Sequence, residues 1–273
     1  MNVFVIDNEA IIRMGFFFSV FFVMALWEVI APRRALAQSK KVRWLNNLAI
    51  AFINTAVVRV IFPTAAVGAA LLSEQRGWGI FNAWGVPEAA GGVLAVLLLD
   101  LTIYAQHVFF HKISVFWRLH RMHHTDLDID VTTGARFHPV EIGLSMGIKM
   151  AMVVVLGAPA WSVIAFEVLL NATSMFNHSN VFVKRNIDTV LRMIIVTPDM
   201  HRVHHSVVRK ETDSNFGFNL PWWDRIFGTY RPQPEKGHTA MTIGLENYRD
   251  KKWLTLPWML SVPFLETTPR PVR

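Results

Sequence analysis

The stretch MGFFFSVFFVMALWEVIA, residues 14–31, is apolar except for Glu28. As a helix rising about 1.5 Å per residue it crosses a hydrocarbon core of roughly 30 Å once its flanks are counted. The residues before it set Asp7 and Glu9 against Arg13 and lack the basic start of a secretory leader, so the segment is expected to remain as an anchor. Leu48 to Leu72 is a second apolar run, interrupted by Asn54 and Arg59, and Ala89 to Phe110 a third, interrupted by Asp100. Ile142 to Leu170 is apolar again, with Gly157-Ala158-Pro159 in its middle. Proline inside a helix removes a hydrogen bond and clashes with the preceding turn, which predicts two shorter helices folded back as a hairpin. The expected fold is an all-α membrane protein: three transmembrane helices plus a helical hairpin, under a helical cap.

The whole composition agrees. Of 273 residues, 52% are hydrophobic and 17% charged, and the mean hydropathy is +0.32. A net charge of +7 would suit nucleic acid in a soluble module, but so apolar a chain argues against one. The basic residues have a topological reading instead. Arg33, Arg34, Lys40, Lys41 and Arg43 lie between the first two runs, whereas the segment from Ser73 to Glu88 offers Arg76 with Glu74 and Glu88. The excess of Lys and Arg places the first loop in the cytoplasm, and with it the end of the third run and everything after the hairpin. The tail beyond Pro221 is expected to fold over that face. A multi-pass protein of a bacterial inner membrane, its site facing the cytoplasm, fits this charge pattern.

The chain has no cysteine, so a metal would be held by His, Asp or Glu. Ten of the eleven histidines lie between His107 and His205. His107-Val-Phe-Phe-His111 has i, i+4 spacing at the end of the third run, and His120-Arg-Met-His123-His124 sets three rings on one helical face. The same spacing recurs in His201-Arg-Val-His204-His205, behind Thr197-Pro198, a helix cap followed by proline at the first turn. His138 and His178 lie between the clusters, while His238, in a polar Pro-flanked tail, reads as a surface residue. Glu28 and Arg59 read as interhelical pairs or interfacial side chains.

Eight to ten imidazoles exceed the needs of one metal, so two are implied, each with about four or five ligands. A zinc hydrolase would carry the H-E-x-x-H helix, which is missing. Haem ligands come as isolated residues on separate segments instead of triplets. Two iron ions are the expected metals, with dioxygen as co-substrate, beside the bilayer where a water-insoluble substrate can reach them. Asp100, Asp199 and Asp224 are candidates for carboxylates that orient the imidazoles.

At these residues the chain resembles the fatty acid hydroxylase superfamily, also called the sterol desaturase family, of integral membrane di-iron oxygenases. The likeness rests on His107-x3-His111, Trp117-Arg118-Leu119-His120-x2-His123-His124, Phe137-His138-Pro139-x-Glu141, Asn177-His178, Thr197-Pro198-x2-His201-x2-His204-His205, and the run Trp223-Asp224-Arg225-Ile226-Phe227-Gly228-Thr229-Tyr230. Gly244-Leu245-Glu246-Asn247-Tyr248-Arg249 further resembles shorter bacterial members. The resemblance implies residues 1–94 as an anchor, 95–230 as the catalytic region and 231–273 as a tail. It also implies His107, His111, His120, His123, His124, His201, His204 and His205 as catalytic iron ligands, with His138 and His178 added. Ser174 stands where relatives acting on sphingolipid acyl chains carry a further histidine, which points away from that substrate. The implied activity is hydroxylation of a lipid C–H bond, on a fatty acyl, sterol, carotenoid or aminolipid substrate, with electrons from a separate donor protein. Desaturation at the same site and a metal transporter are the alternatives.

Overall fold

In the computed structural model, which describes residues 8–266, the regular elements are helices. The β-type pairings among those residues are two isolated bridges, Pro32 with Val181 and Ser206 with Ile243. Asp7 and residues 267–273 of the expected tail lie outside the described span. The elements that position the site are α1 (Glu9–Ile30), α2 (Lys40–Ile61), α3 (Ala65–Arg76), α4 (Glu88–Lys112), α5 (Ser114–His124), α6 (Pro139–Leu156), α7 (Ala160–His178), α8 (Arg185–Leu191) and α9 (Pro198–His204). Four stretches are long and apolar enough to cross a membrane: Glu9–Ile30, Lys40–Ala83, Glu88–Lys112 and Pro139–Leu156.

The second of these corrects an expectation. Leu48 to Leu72 is not one helix: the chain breaks at Phe62-Pro63-Thr64, between α2 and α3. Pro63 brings no amide hydrogen to the ladder, and Ala65 turns the chain in the left-handed region at φ 48°. The hairpin, in contrast, forms at the expected place. α6 ends on Gly157 at φ 67°, and Pro159 leads into α7. That turn needs glycine for a second reason, because a Cβ on Gly157 would stand 2.6 Å from the Trp78 carbonyl oxygen.

α1 packs along α7, α2 and α3 both pack on α6, and α4 touches α5, α6 and α7. At the hairpin-turn end the contacts are made by small and branched side chains, among them Ala66, Ala70, Ala95 and Val153, all fully buried. Small residues let helices approach closely where lipid offers no hydrophobic drive between them. The outward faces carry Phe22, Leu26, Phe52 and Val93, exposed as lipid-facing residues are.

The opposite end is polar and closed by loops. Arg43 on α2 is fully buried: its Nε and Nη2 donate to Asp126 at 2.7 and 2.9 Å, and its Nη1 to Asp130. Glu28, read from sequence as an interhelical pair or interfacial side chain, pairs with Lys40 at the start of α2 at 3.4 Å and also accepts the Val131 and Asn180 amides at 2.7 and 2.9 Å. The tail folds onto α5 through Arg121, which donates to the Val262 and Leu265 carbonyls, and through Arg136, which reaches Asn47, Thr125 and the Trp253 carbonyl.

Candidate metal centre

Three helix ends and one short helix converge beneath this cap. α4 delivers His107 and His111 in its last turns, α5 delivers His120, His123 and His124, and α7 ends on His178. α9 is only seven residues long and is held by its start: Pro198 occupies the first turn and the Thr197 hydroxyl accepts the Met200 amide at 3.4 Å. The result is two groups of buried imidazoles. His107, His111, His120, His124 and His204 place ring nitrogens within 4.8 Å of one another, and His123, His178, His201 and His205 do the same. The groups abut, with the His124 and His205 rings stacked at 4.8 Å between centroids.

One ring nitrogen of most members is tied to the scaffold. Nδ1 of His107 meets the Phe216 carbonyl at 2.7 Å, that of His204 the Ser214 carbonyl at 2.8 Å, that of His178 the Ser174 carbonyl at 2.7 Å and that of His123 the Arg136 carbonyl at 3.2 Å. Nδ1 of His120 meets Glu141 Oε1 at 2.6 Å and that of His111 meets Asp213 Oδ1 at 3.4 Å. A carbonyl oxygen only accepts, so Nδ1 of His107, His123, His178 and His204 carries the proton and Nε2 is left with its lone pair.

The Nε2 atoms face one another, and between His123 and His178, where carbonyls hold both Nδ1 protons, two lone pairs meet. His107 Nε2 lies 3.1 Å from His120 Nε2, which is 3.2 Å from His124 Nε2. In the second group His178 Nε2 lies 3.1 Å from both His123 Nε2 and His201 Nε2. Two acceptors at that distance repel unless a cation stands between them. Nitrogens bound at about 2.1 Å, at right angles on one metal, are themselves about 3 Å apart, which is the spacing found. His204 Nε2 and His205 Nε2 are also buried with no hydrogen-bond partner among the described residues. The donor set therefore fits two transition-metal ions. Burial, and next the neighbouring imidazoles, hold His123, His124, His201, His204 and His205 well below the usual imidazole range, so they stay neutral and can donate to a metal.

Other sequence candidates lie elsewhere. His138 is outside both groups: its Nδ1 accepts the Val140 amide as the cap of α6, and its Nε2 meets the Leu260 carbonyl at 3.3 Å. Asp100 touches no clustered histidine; it accepts the Trp223 indole at 2.8 Å and the Leu220 amide at 3.2 Å. Asp199 pairs with Arg33 at 3.0 Å and with Arg202. Asp224 acts at one remove, accepting the Phe216 and Gly217 amides at 2.8 and 2.9 Å and so fixing the carbonyl that orients His107.

Two orienting carboxylates, Glu141 and Asp213, were missing from the sequence candidates. Glu141 was visible two residues past Pro139 in the quoted motif, but nothing near Asp213 marks it. Glu141→Ala leaves the His120 ring unoriented and is expected to weaken metal binding about 10–100-fold. Competition with a chelator measures this, and wild-type retention would exclude the role.

His238 is buried, not at the surface, with Nε2 at 3.6 Å from Asp199. Burial pushes it down to about 4, against the opposing pull of Asp199. An unfolded imidazole takes its proton near pH 6.5. The contribution to stability is thus present above that value and lost as pH falls from about 6.5 toward 4. Thermal unfolding of the wild type should drop more between pH 7 and 5 than that of His238→Phe, and equal drops would count against it.

A cavity of about 690 Å³ leads from His107 and His120 between α1, α2, α6 and α7, past Phe110, Phe137, Ile103 and Met146. It gives the histidines an apolar approach.

The fatty acid hydroxylase family matches residues 92–229, half of the chain and the span that holds all nine clustered histidines, and the chain belongs to that family. Ornithine lipid hydroxylase OlsE of Rhizobium tropici is 26% identical over 230 residues, which are 81% of this chain and 67% of that protein. Alkylglycerol monooxygenase of Danio rerio is 32% identical over 168 residues, 61% of this chain and 36% of that protein. The Homo sapiens enzyme of the same name is 29% identical over 159 residues, 58% of this chain and 34% of that protein. The chain thus spans about two thirds of the first relative and about a third of the other two. No solved structure matches the chain. By family, and by likeness to named hydroxylases and monooxygenases, it is a membrane oxidoreductase of the lipid-hydroxylase class.

Proposed function

We propose that the chain is a membrane-bound non-haem di-iron oxygenase that hydroxylates a C–H bond of a lipid, using dioxygen and two electrons from a separate donor protein. The observation that carries this reading is the division of nine buried imidazoles into groups of five and four with their ring nitrogens inward. An all-imidazole donor set suits iron among the first-row metals. Two ferrous ions bound there would supply electrons to dioxygen and the oxidising power to take hydrogen from an unactivated C–H bond.

The chain's own residues do the rest. The Phe216, Ser214, Ser174 and Arg136 carbonyls and Glu141 hold the rings in one tautomer and orientation before any ligand arrives. Phe110, Phe137 and Phe218 keep water from the histidine end of the cavity, while Ile103 and Met146 present apolar surface to a substrate chain. The names of the relatives favour an aminolipid or a glycerol ether lipid over a sterol or carotenoid. The basic loop from Arg33 to Arg43, packed against the histidine end, supports a site facing the cytoplasm of a bacterial inner membrane.

Lipids extracted from cells making the active chain should contain a species heavier by one oxygen than those from cells making His123→Ala. Loss of two hydrogens in its place would assign desaturation. Metal flux into vesicles without oxygen consumption would replace the oxygenase reading by transport.

A further inference from the structure

Four helices, α1, α2, α6 and α7, bring charges to the lining of the cavity. Arg13 on α1 has Nη2 at 2.5 Å from Glu167 Oε2 on α7, and Lys149 on α6 bonds the other oxygen of the same carboxylate. Glu9 Oε2 stands 3.3 Å from Arg13 Nη2, and Arg59 of α2 adds an exposed cation. All five line the cavity that reaches the histidines. Lys149 lies eight residues along α6 from Glu141, the partner of His120, roughly 12 Å by helix rise, so the cluster is set well apart from the histidine end of the cavity.

Ionisable groups at membrane depth are costly and usually serve a site. Clipping helices together would need one balanced pair, yet the cavity is lined by three cations, Arg13, Arg59 and Lys149, and, with Glu141 taken by His120, by two further carboxylates, Glu9 and Glu167. Their depths differ too. The Glu167 side chain is 5% exposed, behind Lys149 at 11% and Arg13 at 29%. Glu167 is thus the inner carboxylate, already paired with Lys149 and Arg13, while Glu9, 37% exposed, and Arg59 stand at the open side.

We propose that this end of the cavity seats the anionic group of an amphipathic substrate, a carboxylate or a phosphate, whose chain runs past Phe17 and Met146 to the histidines. Arg13 offers a planar fork and Lys149 a point charge, the two usual ways of holding such oxyanions. The seat acts as a ruler, because an anion held beside Lys149 sets which carbon of the chain reaches the histidines. What is done to that carbon rests on the oxygenase reading; the seat itself does not.

The test uses the full chain in phosphatidylcholine nanodiscs, with empty discs as the blank. A fluorescent polyene fatty acid is displaced by oleate or by methyl oleate, which share a chain and differ in charge. Oleate should displace it at a concentration at least about tenfold lower. Arg59→Gln, which leaves the Lys149–Glu167–Arg13 contacts in place, and Lys149→Met should each cut that preference below about threefold without changing methyl oleate. Dodecyl phosphate against dodecanol tells whether phosphate is the preferred anion. Equal binding of acid and ester, or a preference intact in Arg59→Gln, overturns the seat even if Lys149→Met fails to fold. Retained iron, measured on every sample, reports the metal centre separately, so loss of the oxygenase reading and loss of the seat give different results.

Discussion

His123→Ala should lower bound iron from about two ions per chain to about one and cut turnover at least about 1000-fold, since members of one catalytic unit fail together when one is removed. His123 belongs to the smaller group, where its Nε2 faces that of His178 at 3.1 Å. Its loss leaves three imidazoles, while the five of the other group keep their supports on Phe216, Ser214 and Glu141. His138→Ala is the matching control. It removes a helix cap worth about 1 kcal/mol and should leave both ions bound. Metal analysis beside single-turnover oxygenation decides: two ions and full turnover in His123→Ala would contradict the assignment, as would loss of an ion in His138→Ala.

Arg43→Met is expected to destabilise the protein by about 3–5 kcal/mol, the cost of stranding buried carboxylates whose partner is gone. Asp126 shows the dependence. Burial alone would raise its pKa, yet the Arg43 guanidinium holds it down at about 2. Asp130 and Thr133 lean on the same side chain. The loop from Thr125 to Phe137 follows His124 directly and ends on the ring stacked 4.4 Å over His123, so its release should also loosen the smaller group. A calorimetric or denaturant loss below about 1 kcal/mol would show that the loop holds its shape without the arginine.

Histidine spacing made most of the centre legible. The i, i+3, i+4 patterns put rings on common helical faces, and their number led to the expectation of two metals. Gly157 and Pro159 announced the hairpin for the same reason that they form it. The break at Pro63 was less visible because the residues on both sides are equally apolar, and hydropathy does not register direction. Main-chain supports left no trace at all: any residue at 214 or 216 supplies a carbonyl, so the partners of His204 and His107 follow from the path of the loop. Asp100 looked like a partner of His107 by helical position, but the Trp223 indole and the Leu220 amide take it first. His238 misled in the other direction, since a polar neighbourhood in sequence became a buried one once the tail folded back.

The short helix α9 contributes His204 to one group and His201, with His205 just beyond its end, to the other. Neither group is complete until the ribosome has passed residue 205, and by then the helices from α1 to α7 have already been synthesised. A metal that needs every ligand of a group would therefore be bound late in biogenesis. A fragment stopped before Pro198 lacks His201, His204 and His205, and so holds four of the five histidines of one group and two of the four of the other.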